Sequence, residues 1–421
     1  MTLQERDQKH LWHPLRQHQL NPDSLAIVKA KDCIITDEDG NEYIDAISSW
    51  YTCVFGHCNE FITSRVYQQM QQLDQVMFSD FTHPPAIELS EKLIEILPEG
   101  QNRIFFNDNG STAVEAGIKM ALQYHFNRGE KRTKFIAFEN GFHGDTFGAM
   151  SVSGLSVYNG PFEDFLMEVK RIPTPDGTNR EEILTQLDNY IKTESIAGFI
   201  YEPIVQGAAG MKIHNAEGLN EILTFCKSND ILTIADEVMT GFGKTGKYFA
   251  SDWLETKPDI ICLSKALTAG LLPMAITSCS EKIYEAFLSN DIAKGFFHCH
   301  TYSANPVACA AALAGIELLQ TEKIQQQIKK ISEAHAEFSK RIQQHPKVKS
   351  TRHIGIIFAL DLDTKTERYG GLREKLLSFF MERGVFLRPL GNTIYLQVPY
   401  VITEEQLEKV YETIEASLDI V

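Results

Sequence analysis

ILTIADEVMTGFGKTG, residues 231 to 246, joins an unbroken apolar run to an acid and then to a polar stretch containing three glycines. A run that is continuous, rather than alternating, suits a strand buried on both faces. Asp236 lies at the end of this run, where an unpaired carboxylate would be costly. It therefore needs a cationic partner: an arginine or lysine of the protein, or the protonated ring nitrogen of a cofactor. Val238, two residues on, points to the same face if the strand persists. The two would then meet one heterocycle by its edge and its face.

Similar runs recur along the chain: RIFFND (103–108), KFIAFE (134–139), AGFIYEP (197–203), DIICLS (259–264) and MAITSCS (274–280). An amphipathic segment of helix length, VEAGIKMALQYHF (114–126), follows the first of them. Strands interleaved with helices predict a mostly parallel α/β sheet. Ligands of such sheets bind beyond the carboxyl ends of the strands, so the residues after each run are the candidates.

After RIFFND comes NGSTAVE, where Gly110 permits a close turn and Thr112 with Glu115 spells a capping box. The free N–H groups and the dipole of a helix start suit a phosphate, with Ser111 or Thr112 as a further donor. Alone, this reads as an ordinary capped helix. After KFIAFE comes NGFHGDTFGAM, either an ordinary turn with a packed Phe142 or a loop laying Phe142 or His143 against a planar heterocycle. After DIICLS comes Lys265, within CLSKALTAG (262–270), among small and apolar neighbours. A desolvated amine has a lowered pKa and attacks carbonyls. A lysine, an acid and a Gly-Ser helix start at successive strand ends match the needs of pyridoxal 5′-phosphate: a covalent anchor, a partner for the pyridinium nitrogen and a phosphate cradle.

The chain has 421 residues, 43% hydrophobic and 23% charged, values ordinary for a soluble globular protein. That length predicts a large domain with a smaller companion. A formal charge of −16 argues against a nucleic-acid or anionic-membrane surface. No apolar stretch is long enough to span a bilayer, and MTLQERDQKHLWHP lacks the apolar core of a secretory signal. A cytoplasmic location is the expectation. The eight cysteines are scattered and predict free thiols rather than a disulfide framework. CVFGHC (53–58) and HCH (298–300) lack paired C-x₂-C spacing, and no metal is expected.

The last hundred or so residues read as a small α+β unit. A long polar helix pattern begins near Ile316, followed by IGIIFALDL (354–362) and LREKLLSFFMERG. VFLRPL and TIYLQV, split by Gly391-Asn392, predict a hairpin. Thr403 with Gln406 predicts a capping box on the final helix.

NGSTAVE, EPIVQGAAG, ADEVMTGFGKTG, LSKALTAG and TYSANPVACAAA together resemble the class III (fold type I) aminotransferases over nearly the whole chain. HLWHP (10–14), SSW (48–50), VMFSDFTHPPAIEL (76–89), NGFHGDTFGAMSV (140–152) and GVFLRPLGNTIYLQVPY (384–400) resemble one branch of that family. That branch transfers the α-amino group of S-adenosyl-L-methionine to 8-amino-7-oxononanoate in biotin biosynthesis. The resemblance implies an N-terminal segment (1–45) packing with the small domain, a large cofactor-binding domain (46–311) and a small domain (312–421). It implies that Lys265 holds the cofactor and moves the proton, that Asp236 pairs with the ring nitrogen, and that Gly110 and Ser111 bind the phosphate. Phe142 and Val238 would sandwich the ring. Thr301, beside His300, would reach the phosphate of a neighbouring subunit, which implies a homodimer with shared sites. Trp50 would line the substrate pocket and Arg388 would take the substrate carboxylate.

Four stretches depart from the family's frequent pattern: Leu15 for a tyrosine, Tyr51 for a tryptophan, Phe142 for a tyrosine, and Cys299-His300 for Gly-Pro. All bear on substrate recognition, and some relatives use lysine as the amino donor. Another class III ω-aminotransferase, a cofactor-free Schiff-base aldolase using Lys265, and a non-catalytic binding role are the competing readings.

Overall fold

The apolar runs come together as one central sheet. The structure, a computed structural model, describes residues 1–20, 23–154, 159–364 and 370–421. In chain order its strands are β1 Ile27–Lys31, β2 Ile34–Asp37, β3 Glu42–Asp45, β4 Arg103–Asn107, β5 Lys134–Phe138, β6 Val169–Ile172, β7 Ile196–Tyr201 and β8 Val205–Gln206. The second half adds β9 Lys212–Ile213, β10 Leu232–Asp236, β11 Ile260–Leu263, β12 Ala275–Cys279, β13 Val348–Ile354, β14 Ile357–Leu362, β15 Val385–Phe386 and β16 Thr393–Gln397.

The central sheet has seven strands in the order β4-β12-β11-β10-β7-β5-β6. Every residue of β7, β10, β11 and β12 is buried, as their unbroken apolar runs require. β11, β10, β7, β5 and β6 run parallel. β12 is reversed against both its neighbours. The reason lies in its connection to β11, which holds one 3-10 turn, Lys265–Thr268, and no crossover helix. The helix Gly110–Asn127 packs across this sheet from β4 to β7.

That helix starts differently from the expectation. Asn109, not Thr112, is its N-cap, and the reciprocal bonds run between Asn109 and Thr112. Glu115 turns away and accepts hydrogen bonds from the Thr146 hydroxyl and the Gly148 and Ala149 N–H groups, so it caps the helix Phe147–Val152 instead. The capping box of Thr403 and Gln406 forms as expected.

The C-terminal strands depart from the hairpin expectation. The turn at Gly391-Asn392 is present, with Leu390 and Thr393 exchanging backbone hydrogen bonds of 2.8 and 3.0 Å. The strands on either side part company. β15 adds in parallel to β3, completing the sheet β1-β2-β3-β15, while β16 joins β14 in the antiparallel sheet β13-β14-β16. A two-residue strand gains little from its sequence neighbour, whereas the edge of β3 offers it unpaired backbone groups. The polar pattern near Ile316 resolves into two helices, Pro306–Leu319 and Glu322–Ile342, with Thr321 capping the second. Among the described residues no helix is long and apolar enough to cross a membrane. All eight cysteines are free thiols.

Candidate active site

The residues that close β10, β7 and β11 meet beyond the carboxyl edge of the central sheet. Asp236 ends β10 and is buried. Its hydrogen-bond partners among the described residues include neither arginine nor lysine. The Nδ1 of His143 lies 2.7 Å from its Oδ2, and the Val238 N–H donates to its Oδ1 at 3.0 Å. The imidazole is thus fixed against the acid and is not free to stack on a ligand. Its Nε2 is buried without a hydrogen-bond partner. The strand ends at Asp236, so Val238 reaches the site from a turn rather than from a continuing pleat.

Lys265 follows β11 with φ of 52°, a left-handed conformation that a side-chain-bearing residue holds only under tertiary constraint. Its side chain is partly exposed. Its amine is nevertheless enclosed by protein, and desolvation lowers its pKa against the opposing pull of Asp236 and Glu202. The Nζ sits 5.0 Å from the ring centroid of Tyr51.

Gly110 and Ser111 open the long helix, so their N–H groups belong to the unsatisfied first turn. A Cβ on Gly110 would fall 2.8 Å from a methyl of Val238, so only glycine lets the helix start lie against the Asp236 turn. Gly144, at φ of 129°, meets Ser111 just as closely, and its neighbour Asp145 donates its N–H to the Ser111 hydroxyl at 3.3 Å. The loop carrying Phe142 and His143 is therefore pressed onto the helix start. The Phe142 ring itself is 47% exposed and open to a ligand.

A second group adjoins the first. Ser48, Ser49, Trp50 and Tyr51 have φ of 48°, 45°, 69° and 71°, one turn of left-handed helix without a glycine. Buried Asp45 anchors it, accepting from the Ser49 hydroxyl at 2.8 Å and pairing with His57 Nε2 at 2.9 Å. Although burial alone would depress the His57 pKa, its hydrogen bond to Asp45 helps raise it to about 10. The turn places the Tyr51 hydroxyl 3.0 Å from that of Tyr395 and the Trp50 ring 4.8 Å from the Arg388 guanidinium.

Cys299, His300 and Thr301 form a third group. His300 faces His298, with their Nε2 atoms 3.1 Å apart, and lies 3.9 Å from Asp108 at the end of β4. The Thr301 carbonyl accepts from Gln75 and its side chain is exposed. Leu15 stands apart, exposed in the N-terminal segment.

Two buried residues escaped the sequence reading. Glu202, directly after β7, accepts from the Phe142 N–H at 3.0 Å and the Gly207 N–H at 2.9 Å, and burial raises its pKa to about 7. Its signal was the one that marked Asp236, an acid closing an apolar strand. Lys244 is fully buried, and its Nζ reaches the Gly241 carbonyl at 3.3 Å.

The aminotransferase class-III family model matches residues 16–418. The adenosylmethionine-8-amino-7-oxononanoate aminotransferase of Synechococcus elongatus is 42% identical over 422 residues, covering 97% of this chain and 98% of the relative. The protein of the same name from Staphylococcus aureus is 36% identical, covering 93% and 92%. The crystal structure of the Methanocaldococcus jannaschii protein of that name superposes with a TM-score of 0.93 at 32% identity, covering 98% of both chains. An omega transaminase from Pseudomonas jessenii, solved in complex with PMP, gives 0.92 at 28% identity, covering 100% of this chain and 98% of that one. With its fold, its strand-end lysine and its full-length relatives in agreement, the chain belongs to the class III aminotransferases, enzymes that work with pyridoxal 5′-phosphate.

Proposed function

We propose that this aminotransferase moves the α-amino group of S-adenosyl-L-methionine to 8-amino-7-oxononanoate, giving 7,8-diaminononanoate for biotin synthesis. The observation that carries the reading is the meeting of a desolvated Lys265 amine, buried Asp236 and the Gly110-Ser111 helix start at one sheet edge. The names of full-length relatives supply the substrates.

The donor set fits the cofactor. Asp236 keeps lone pairs beyond those used by His143 and Val238, so it can accept from a ring nitrogen. First-turn N–H groups and the Ser111 hydroxyl suit a dianionic phosphate. Val238 and the open Phe142 ring offer apolar faces. The chemistry supplied by pyridoxal 5′-phosphate when bound is an aldehyde that takes up an amino nitrogen and a ring that draws electrons from the adjoining carbon.

The protein's part is to bind, orient and move protons. Lys265, its pKa lowered by burial, is the amine able to anchor the cofactor and then to carry a proton between substrate and cofactor carbons. His143 holds Asp236 in position from behind. Arg388, lying over Trp50, offers a planar fork to the substrate carboxylate. One pocket serves both substrates in turn, as a ping-pong sequence requires.

The same reading includes a homodimer. Ile292, Phe297 and Tyr302 flank the Thr301 stretch and are 80%, 73% and 63% exposed, an apolar surface suited to a second copy. Thr301, with His300, would serve the partner's phosphate site. A cytoplasmic location and the division into segments 1–45, 46–311 and 312–421 belong to this reading too. Lysine as donor is the second reading, left open by the departures from the family pattern at Leu15, Tyr51, Phe142 and Cys299-His300.

A half-reaction decides between donors. Cofactor-loaded protein is mixed separately with S-adenosyl-L-methionine and with lysine, and loss of the visible absorption band is followed. Conversion by S-adenosyl-L-methionine is expected. Conversion by a simple ω-amine, with neither of these active, would overturn the assignment.

A further inference from the structure

Glu202 has no place in the chemistry described so far, yet it is buried beneath it. It follows β7 directly, and each carboxylate oxygen takes one backbone N–H, Phe142 at 3.0 Å and Gly207 at 2.9 Å. Through the first bond it holds the loop that offers the Phe142 ring to the cleft. Through the second it ties that loop to the hairpin of β8 and β9. The groups that face it come from four elements. His143 lies on the loop after β5, Asp236 ends β10, Lys265 follows β11, and the Nε2 of His214 bonds the Glu202 backbone carbonyl at 3.0 Å. His214 is buried and its pKa falls to about 4, so it brings no charge near neutral pH.

We propose that Glu202 is a positioning residue for the cofactor, fixing the backbone that presents Phe142 and acting as a second negative charge, with Asp236, on the Lys265 nitrogen. The proposal rests on the assignment of Lys265, Asp236 and Phe142 made above. An anion near a cationic nitrogen favours its protonated form. Glu202 would thereby keep the Lys265 nitrogen protonated to higher pH than Asp236 would alone. Because burial brings the Glu202 pKa to about 7, this influence is switched on as pH rises through neutrality.

The test is a pH titration of the visible absorption band of the loaded protein, in wild type, Glu202→Gln and Glu202→Asp. Glutamine removes the charge, and the midpoint is expected to fall by about one pH unit, with aspartate restoring most of it. An unchanged midpoint in Glu202→Gln overturns the proposal. Should that variant fail to fold, wild-type holoprotein labelled with ¹⁵N-phenylalanine gives the answer. The Phe142 amide shift should titrate between about pH 6 and 8, the range set by a carboxyl raised to neutrality. A flat shift overturns the proposal. Lys265→Ala separates the two levels of inference. A visible covalent band that survives in Lys265→Ala refutes the assignment of the lysine, whatever Glu202 does.

Discussion

Asp45→Asn should release the left-handed turn that carries Trp50 and Tyr51. Left-handed conformation costs a non-glycine residue about 1–2 kcal/mol, and Ser48 to Tyr51 all adopt it. The turn persists because anchors outweigh that cost. Asp45 accepts from the Ser49 hydroxyl and pairs with His57, and the Ser48 hydroxyl donates to the Gln397 carbonyl at 2.6 Å. Removing one partner of a buried charge pair costs about 3–5 kcal/mol. His57 is only partly enclosed, and solvent screening brings the expected loss toward about 3 kcal/mol. The pH dependence follows from the raised His57 pKa. Its ordinary value is about 6.5, and in the folded protein it is about 10. The stabilisation is fully present below the ordinary value and is lost as pH rises toward the folded value. Urea melts of wild type and Asp45→Asn should therefore differ by about 3 kcal/mol near pH 6 and converge toward pH 10. The variant should also lose turnover, since Tyr51 faces the Lys265 amine. A difference independent of pH, or one below about 0.5 kcal/mol, the scale of an ordinary surface substitution, would refute this account of the turn.

Three further outcomes are expected. Lys244→Met should stabilise the protein by about 1–4 kcal/mol at pH 7.5, because a fully buried amine is replaced by an apolar side chain of similar size. Burial lowers the Lys244 pKa, so the wild type loses stability as pH falls below the ordinary lysine value, and the gap between the melting curves should close near pH 10.5. Arg388→Ala should raise KM for the carboxylate-bearing acceptor about 10- to 100-fold, the value of a lost charge-assisted hydrogen bond, and leave the cofactor spectrum intact. Lys265→Ala should cut turnover by at least about 10²–10⁴-fold, the contribution of one positioned proton-transfer group, with the fold's melting curve preserved.

Much of the site was legible because its residues close apolar strands. Asp236, Lys265 and Gly110-Ser111 stand just after such runs, and the parallel sheet brings those ends together. Glu202 carried the same signal in AGFIYEP, so it was within reach of the same rule. The partner of Asp236 was not, because His143 lies 93 residues away in a loop and pairs with it only once β5 and β10 share a sheet. The left-handed turn at Ser48–Tyr51 has no local signature, since serine, tryptophan and tyrosine do not favour positive φ. Its cause is a set of anchors from Asp45, His57 and Gln397. The Gly391-Asn392 turn was read correctly, but turn chemistry specifies only the two residues it bends, and each flanking strand took a more distant partner.

Sequence alone therefore determined the strand ends, the placement of Lys265 and Asp236 just beyond or at them, and the family. Those features follow from local apolar patterning, from the cost of leaving a charge unpaired, and from motifs contiguous in the chain. Tertiary structure decided the rest: His143 under Asp236, Glu202 behind Phe142, Tyr51 over Lys265 and Arg388 against Trp50. Hydrogen bonds, ring contacts and desolvation act over a few ångströms between residues far apart in the chain. Only the folded sheet sets those distances.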